Sequence, residues 1–279
     1  MPALHIRILG DFHIAHDDAP VTGVNTPRLQ SLLAYLLLHS EAPQLRQQAA
    51  FLLWPDSTEA QARTNLRREL HHLRRALPGA GRFLQADAKS LQWLPDAPFT
   101  LDVADFEAAV AQAHQAEEAG HQTAVQTALA EAVELYRGDL LLSCYDDWIL
   151  PERERLSHMF IQAMERLIQL LESRREYATA IRYARRLLRY DPLHEATYRR
   201  LMRLHALNGD RARALRVYHT CVTVLQRELA VEPSPATHEA YQRLLDMDTS
   251  PASPATPVVK SVAEWRLVGR QPEWEQLLT

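Results

Sequence analysis

The sequence predicts a mainly α-helical protein in which an α+β domain is followed by an all-α domain. Apolar residues alternate with polar ones near the start of the chain, which is typical of strands, and three helical segments follow. From about Leu101 to Leu245 the pattern is helical and poor in glycine. With 279 residues, 47% of them hydrophobic, the chain is long enough for two domains of ordinary size.

The first predicted elements are two half-buried strands and a helix. The alternating apolar residues of the strands are Leu4, Ile6, Ile8, Phe12 and Ile14. The cluster Asp17-Asp18-Ala19-Pro20 predicts a turn. Thr26 suits an N-cap and Pro27 the first helical position. The apolar run from Leu32 to Leu38 is far shorter than the roughly 20 residues of a membrane span, so it predicts a buried helix.

Two further helices and a hairpin follow. The second helix is predicted from Gln44 to Leu53, and the third from Ser57 to Leu77, with Asp56 and Glu59 as its capping pair. The third helix has one narrow apolar stripe formed by Leu66, Leu70, Leu73 and Leu77. The segments Arg82 to Gln85 and Leu91 to Leu94 flank a hairpin tip, Asp87-Ala88-Lys89-Ser90. Strands, three helices and a terminal hairpin predict a winged helix-turn-helix domain at residues 1–96.

The third helix is the predicted recognition helix of a DNA-binding surface. It carries five arginines against Glu59 and Glu69, whereas the whole chain has a net charge of −4, so attraction to DNA must be local. An arginine fork binds phosphate oxygens and reads O6 and N7 of guanine. The candidate DNA-binding residues are Arg63, Thr64, Asn65, Arg67, Arg68, His71, Arg74 and Arg75 on the helix, with Arg82 and Lys89 on the wing. A solvated charged face is the alternative explanation of these charges.

The second half of the chain contains a repeat of helical hairpins. Residues of similar size lie 34 residues apart, the period of tetratricopeptide repeats. The pairs are Met164 and Tyr198, Leu167 and Leu201, Leu170 and Leu204, Ala178 and Ala212, and Ala180 and Ala214. Asp191-Pro192 and Glu232-Pro233 close the two hairpins, and Asn208-Gly209-Asp210 supplies a turn. Chance matching of leucines and alanines in a helical array is the alternative, although it leaves the prolines and turns unexplained.

Several phrases of the sequence resemble a known family. They are Ile8-Leu9-Gly10-Asp11-Phe12, Leu32-Leu33-Ala34-Tyr35-Leu36, Leu53-Trp54-Pro55-Asp56, Ala62-Arg63-Thr64-Asn65-Leu66-Arg67 and Leu73-Arg74-Arg75-Ala76-Leu77. In this order they resemble the amino-terminal domain of SARP-type bacterial transcriptional activators, a winged helix similar to that of OmpR-type response regulators. The resemblance implies binding to direct repeats of double-stranded DNA beside promoters, and recruitment of RNA polymerase. The abundance of histidine departs from the family and leaves the base preference open.

A second resemblance covers residues 101–246. The phrase Ala132-Val133-Glu134-Leu135-Tyr136-Arg137-Gly138-Asp139-Leu140-Leu141, followed by Trp148, Glu152 and Arg155, resembles the bacterial transcriptional activator domain of the same regulators. It implies protein contact, including self-association on tandem sites. For Arg137, Asp139 and Asp146 we expect local caps and surface ion pairs rather than a dedicated site.

The end of the sequence predicts a linker and the beginning of another domain. Residues 247–264 are rich in proline and alanine and have no apolar periodicity. Residues 265–279, with Leu267-Val268-Gly269-Arg270, resemble the start of the signal-transducing NTPase domains that follow such regulators in their large members. We therefore expect the chain to be a fragment of a larger regulator.

The sequence offers little for catalysis. It has no phosphate-binding Gly-x-x-x-x-Gly-Lys loop, and its thirteen histidines form no metal-binding pattern, so we expect no enzyme activity, cofactor or metal. Cys144 and Cys221 are the only cysteines, and no signal peptide is visible, which favours a cytoplasmic protein without membrane partners. The alternative function is a helical-repeat scaffold or sensor whose winged helix contacts protein. The arginine face argues against it, because such a contact does not need one.

Overall fold

The structure, a computed structural model, describes residues 3–246. The predicted linker and the predicted start of an NTPase domain lie outside the described residues. Within them the chain forms ten α-helices and seven strands, so the predicted mainly α-helical class is confirmed.

The N-terminal elements alternate between strands and helices. In chain order they are β1 (Leu4–Arg7), β2 (His13–His16), β3 (Ala19–Pro20), α1 (Pro27–Leu38), β4 (Gln44–Leu45), α2 (Arg46–Leu53), α3 (Glu59–Ala76), β5 (Leu84–Ala86), β6 (Ser90–Trp93) and β7 (Phe99–Leu101). One sheet has the order β3-β2-β1-β7, with β7 parallel to β1, and the other has the order β4-β6-β5. The helices α1, α2 and α3 with the β5–β6 hairpin form the predicted winged helix.

The sequence predicted the start of α1 correctly and the start of α2 incorrectly. The Thr26 hydroxyl accepts a hydrogen bond from the Leu29 N–H, and Pro27 is the first helical residue, as predicted. The second helix starts two residues later than predicted, because Gln44 and Leu45 pair with Leu91 and Ser90 of β6 instead. That pairing extends the wing into a three-stranded sheet.

Two predictions about local structure were wrong. The N-cap of α3 is Thr58, whose hydroxyl accepts from the Gln61 N–H, rather than Asp56. Arg82 lies in a short 3-10 helix, Ala80–Arg82, rather than in a wing strand. The left-handed Gly79 (φ 62°) turns the chain there, and its carbonyl accepts from the Arg82 N–H.

The rest of the described chain is helical. The helices are α4 (Asp102–Glu118), α5 (Gln122–Leu135), α6 (Leu150–Ser173), α7 (Tyr177–Tyr190), α8 (Glu195–Leu207), α9 (Arg211–Leu229) and α10 (Pro235–Asp246). The helices α6 to α9 form two consecutive hairpins, and Gly209 (φ 78°) lies in the turn that the sequence predicts between α8 and α9. Four of the five residue pairs spaced by 34 are buried at both positions, and only Ala178 and Ala212 are exposed. The repeat therefore has a packing origin.

The winged helix and the helical segment share one continuous core. Between α5 and α6 the chain returns to the strand end at residues 8–10. There the Leu141 N–H donates to the Ile8 carbonyl (2.8 Å), and the Gly10 N–H donates to the Asp139 carbonyl (3.0 Å). A Cβ on Gly10 would lie 3.3 Å from the carbonyl carbon of Arg137, and one on Gly138 would lie 3.2 Å from the Cα of Gly10. Only glycines allow the two backbones to approach so closely.

Side chains also join the two parts. The Asp146 carboxylate accepts hydrogen bonds from Arg28 Nη1 (3.0 Å) and from the Ser31 hydroxyl (2.7 Å), both on α1. Trp148 Nε1 donates to the same hydroxyl (3.2 Å). The sequence-based interpretation of Asp146 as a local cap or surface ion pair was therefore wrong, because the carboxylate binds another part of the fold.

No helix in the stretch from residue 3 to residue 246 has the length and apolar character needed to cross a bilayer.

We predict that Gly10→Ala destabilises the protein by about 1–3 kcal/mol, because the new Cβ meets the backbone of Arg137 and the φ of 87° disfavours a side chain. Urea unfolding measures the change. Gly81→Ala is the matched control, since a Cβ at that glycine has no heavy atom within 4 Å, and it should change stability by less than about 0.5 kcal/mol. Equal effects of the two substitutions would contradict the close approach at Gly10.

Candidate nucleic-acid interface

The helix α3 is held in place by its apolar stripe. Leu66, Leu70 and Leu73 are at most 3% exposed and pack into the shared core, together with Leu77 just beyond the helix. Fixing these side chains leaves the opposite side of the helix facing outward.

The outward side of α3 forms a polar crest, by which we mean Thr64, Arg68, His71 and Arg75. All four residues are exposed. The Arg68 Nε donates to the Glu69 carboxylate (3.3 Å), and Glu69 is itself buried. This contact orients the guanidinium and leaves its two terminal nitrogens available for a second, bidentate contact.

A cationic flank, formed by Arg63, Arg67 and Arg74, lies on the side of α3 nearer the wing. Arg63 forms an ion pair with Glu59 (2.6 Å), whereas the side chains of Arg67 and Arg74 make no hydrogen bond or ion pair with any described residue. Arg63 and Arg67 line a groove of about 410 Å³, together with Lys89 and Arg46. Four basic side chains thus converge between α3 and the wing.

Arg46 was not among the predicted site residues. It is half-buried at the start of α2, and its pKa is lowered by burial and by the charges of Arg67 and Arg74. The only sequence signal was its basic character, because the prediction placed Arg46 inside a helix that begins at Gln44. The pairing of β4 with β6 instead brings it beside the wing.

The tip of the wing is hydrogen-bonded to Arg46. The Arg46 N–H donates to the Lys89 carbonyl (2.9 Å), and the Arg46 guanidinium donates to the Asp87 carbonyl (3.1 Å). The Asp87 carboxylate accepts from the N–H groups of Lys89 and Ser90 (2.7 Å each), which hold its pKa below the usual range. These bonds fix the position of Lys89 relative to α3.

Two predicted site residues, Asn65 and Arg82, belong to neither the polar crest nor the cationic flank. Asn65 is half-buried, and its side-chain oxygen accepts from Gln61 Nε2 (3.0 Å) within the helix. Arg82 is exposed at the base of the wing, with its guanidinium 6.0 Å from the ring centroid of Phe83. Both remain predicted DNA contacts, but neither is brought together with Lys89 at the wing tip.

Nothing in the described part of the chain resembles a metal centre. No group of three or more His, Cys, Asp and Glu side chains within residues 3–246 could hold a metal ion. The two cysteines, Cys144 and Cys221, are buried, and burial raises the pKa of both thiols, that of Cys221 to about 11.

The fold and this surface define a class of protein, a winged helix joined to helical hairpins. A family model described as bacterial transcriptional activator domain matches residues 101–245, just over half of the chain. The chain belongs to this family, and its resemblance to SARP-type bacterial transcriptional activators is confirmed.

The similar proteins include regulatory proteins of two bacterial genera. The regulatory protein AfsR of Streptomyces coelicolor is 26% identical over 246 residues, which is 88% of this chain and 24% of AfsR. The transcriptional regulatory protein MoaR1 of Mycobacterium bovis is 25% identical over 236 residues, which is 80% of this chain and 73% of MoaR1. The chain spans about a quarter of the length of the AfsR proteins that it matches.

A solved structure shows the same fold. Mycobacterium tuberculosis EmbR, in complex with a low-affinity phosphopeptide, aligns with a TM-score of 0.69 at 23% identity, over 88% of this chain and 66% of EmbR.

We predict that Arg46→Ala weakens binding to duplex DNA of any sequence and reduces the magnitude of the log–log salt slope by about 1, as expected for loss of one phosphate contact. Fluorescence anisotropy at several salt concentrations measures both quantities. Arg182→Ala, which removes an exposed arginine from α7, is the control and should change neither. An unchanged slope for the Arg46 variant would exclude this residue from the interface.

Proposed function

We propose that the chain binds double-stranded DNA in a sequence-specific manner and activates transcription from direct repeats near promoters. The observation that carries the proposal is the cationic groove between α3 and the wing, where Arg46, Arg63, Arg67 and Lys89 converge. In a protein of net charge −4, this concentration of positive charge suits a polyanion that contacts the helix and the wing together.

The two sides of α3 have different proposed tasks. The polar crest enters the major groove, where Arg68 and Arg75 can donate to O6 and N7 of guanine and His71 and Thr64 offer single hydrogen bonds. The cationic flank with Lys89 binds phosphates, which sets register and orientation without reading sequence. Asn65 and Arg82 contribute further contacts at the two edges of the surface.

Residues 101–246 have a proposed role in protein contact. We assign to them self-association on tandem DNA sites and contact with RNA polymerase. The support is the family match over these residues and the description of AfsR and MoaR1 as regulatory proteins. Because they share a core with the winged helix of residues 1–96, a contact made by the helical hairpins keeps a fixed geometry relative to bound DNA.

The proposal is of a regulator rather than an enzyme. It requires no cofactor or metal, and its activity belongs in the cytoplasm, where bacterial promoters are. The predicted linker at 247–264 and NTPase start at 265–279 remain predictions about a longer regulator.

Affinity for duplex DNA should fall steeply as salt increases. Each phosphate contact contributes a log–log slope of about −0.9, so the contacts made by the flank and wing should add up to a strong dependence. Binding measured between low and physiological salt tests this. A flat dependence would contradict the proposed interface.

Base reading and phosphate binding can be separated by substitution. Arg68→Ala should cost about 1–3 kcal/mol on the preferred sequence and relax the preference, whereas Lys89→Ala should weaken all sequences alike. The preferred sequence is first obtained by selection from a random duplex pool with the 279-residue chain.

Arg182→Ala is again the matched control and should leave the affinity unchanged. If Arg68→Ala and Lys89→Ala affect every sequence equally, with the fold intact by circular dichroism, α3 is not the recognition helix.

A further inference from the structure

A second basic groove lies among the helical hairpins, on helices that are distant from α3 in the sequence. It has a volume of about 660 Å³ and lies over α8, between α7 and α9. Four arginines line its sides, Arg185 and Arg189 from α7 and Arg213 and Arg216 from α9. Its floor is apolar and includes Leu188, Tyr198, Leu201 and Val217.

The positive charge of this groove is mostly uncompensated. Arg213 forms an ion pair with Asp210 (3.3 Å). Arg189 and Arg216 make no hydrogen bond or ion pair through their side chains with any residue from 3 to 246. Among residues 3–246, the Arg185 side chain donates only to His205, with 3.4 Å between Nη2 and Nε2. One carboxylate therefore contacts a set of four guanidinium groups.

His205 is a buried polar residue beside the groove. It lines the groove but is only 2% exposed, and its Nδ1 is buried without a hydrogen-bond partner in the described chain. Because an arginine is always a donor, Nε2 must accept from Arg185, so the proton of the neutral ring is on Nδ1. A buried donor without an acceptor is uncommon in proteins.

We propose that this groove binds an acidic peptide segment of a partner protein. Carboxylates of the peptide pair with the arginines on both sides, since the guanidinium fork matches a carboxylate in a bidentate manner. An apolar side chain between the carboxylates packs on Leu188 and Leu201. DNA fits less well, because its phosphates would contact the arginines and leave the apolar floor uncovered. This inference does not depend on DNA binding by α3.

The test uses the 279-residue chain and a fluorescein-labelled peptide of eight residues, in which leucines at positions three and six separate pairs of glutamates. Saturable binding is expected by fluorescence anisotropy, and replacing every glutamate with glutamine should abolish it. The groove variant is Arg189→Glu with Arg216→Glu. Both arginines are exposed and unpaired within the described residues, so the variant should melt at the temperature of the wild type.

The groove variant should bind the peptide at least tenfold more weakly. The control variant, Arg175→Glu with Arg182→Glu, has the same change of net charge on exposed arginines outside the groove and should bind within twofold of the wild type. Duplex DNA affinity of the groove variant should also stay within twofold of wild type. This DNA measurement distinguishes failure of the peptide-binding inference from failure of the DNA-binding proposal.

The ring of His205 gives a second readout. Its pKa is lowered by burial first and then by the charge of Arg185; the charge of Asp210 acts in the opposite direction, and Arg213 and Arg216 lower the pKa by smaller amounts. Carboxylates bound beside these arginines stabilise the imidazolium, so NMR titration should show a higher pKa when the peptide is present.

Three results would overturn the inference. They are no binding of the glutamate peptide, equal losses in the groove and control variants, and loss of DNA affinity in the groove variant without peptide binding. The last result would identify the groove as a nucleic-acid surface.

Discussion

The strand end at residues 8–10 is the point on which the architecture depends. The carboxylate of Asp102, the first residue of α4, accepts hydrogen bonds from the N–H groups of Ile8 and Leu9 (2.8–3.0 Å). Burial raises the pKa of Asp102, and these N–H groups act in the opposite direction. The Gly10 N–H bonds to the Asp139 carbonyl. The N–H groups of three consecutive residues just after the first strand thus obtain their acceptors from the helical segment, so this stretch of backbone cannot be satisfied without it.

Asp139 extends this junction into the helical hairpins. Its side chain accepts from the hydroxyls of Tyr136 (3.1 Å) and Tyr190 (2.6 Å), and Tyr190 is the last residue of α7. Burial and the neighbouring Tyr190 and Asp139 raise the pKa of Tyr136 far above its usual value. One residue therefore contacts the winged helix through its backbone and α7 through its carboxylate, beside the core that the two parts share.

The sequence predicted those features that depend on interactions between residues close together in the chain. The stripe of α3, the Thr26 cap and the spacing of 34 residues depend on neighbours within one or two helices, and the structure confirms each of them. The pairing of Gln44–Leu45 with the wing and the parallel pairing of β7 with β1 join distant segments, and no local pattern encodes them. For the same reason the polar crest follows from helix geometry alone, whereas Arg46 becomes part of the site only once the wing is folded. The sequence around Asp139 and Asp146 contains no pattern that indicates the distant partners of these two carboxylates.

The attachment of the wing to Arg46 has a thermodynamic consequence. In many nucleic-acid-binding proteins a loop at the interface becomes ordered on binding, and the loss of conformational entropy weakens the complex. Here the backbone bond from Arg46 to Lys89 and the Asp87 turn order the wing tip already in the free protein. The entropy of that segment is lost during folding, and the distance from α3 to the wing is set before any DNA arrives. In the proposed DNA complex, a rigid spacing of this kind selects duplexes whose groove width already matches it, so the shape of DNA becomes part of the proposed recognition.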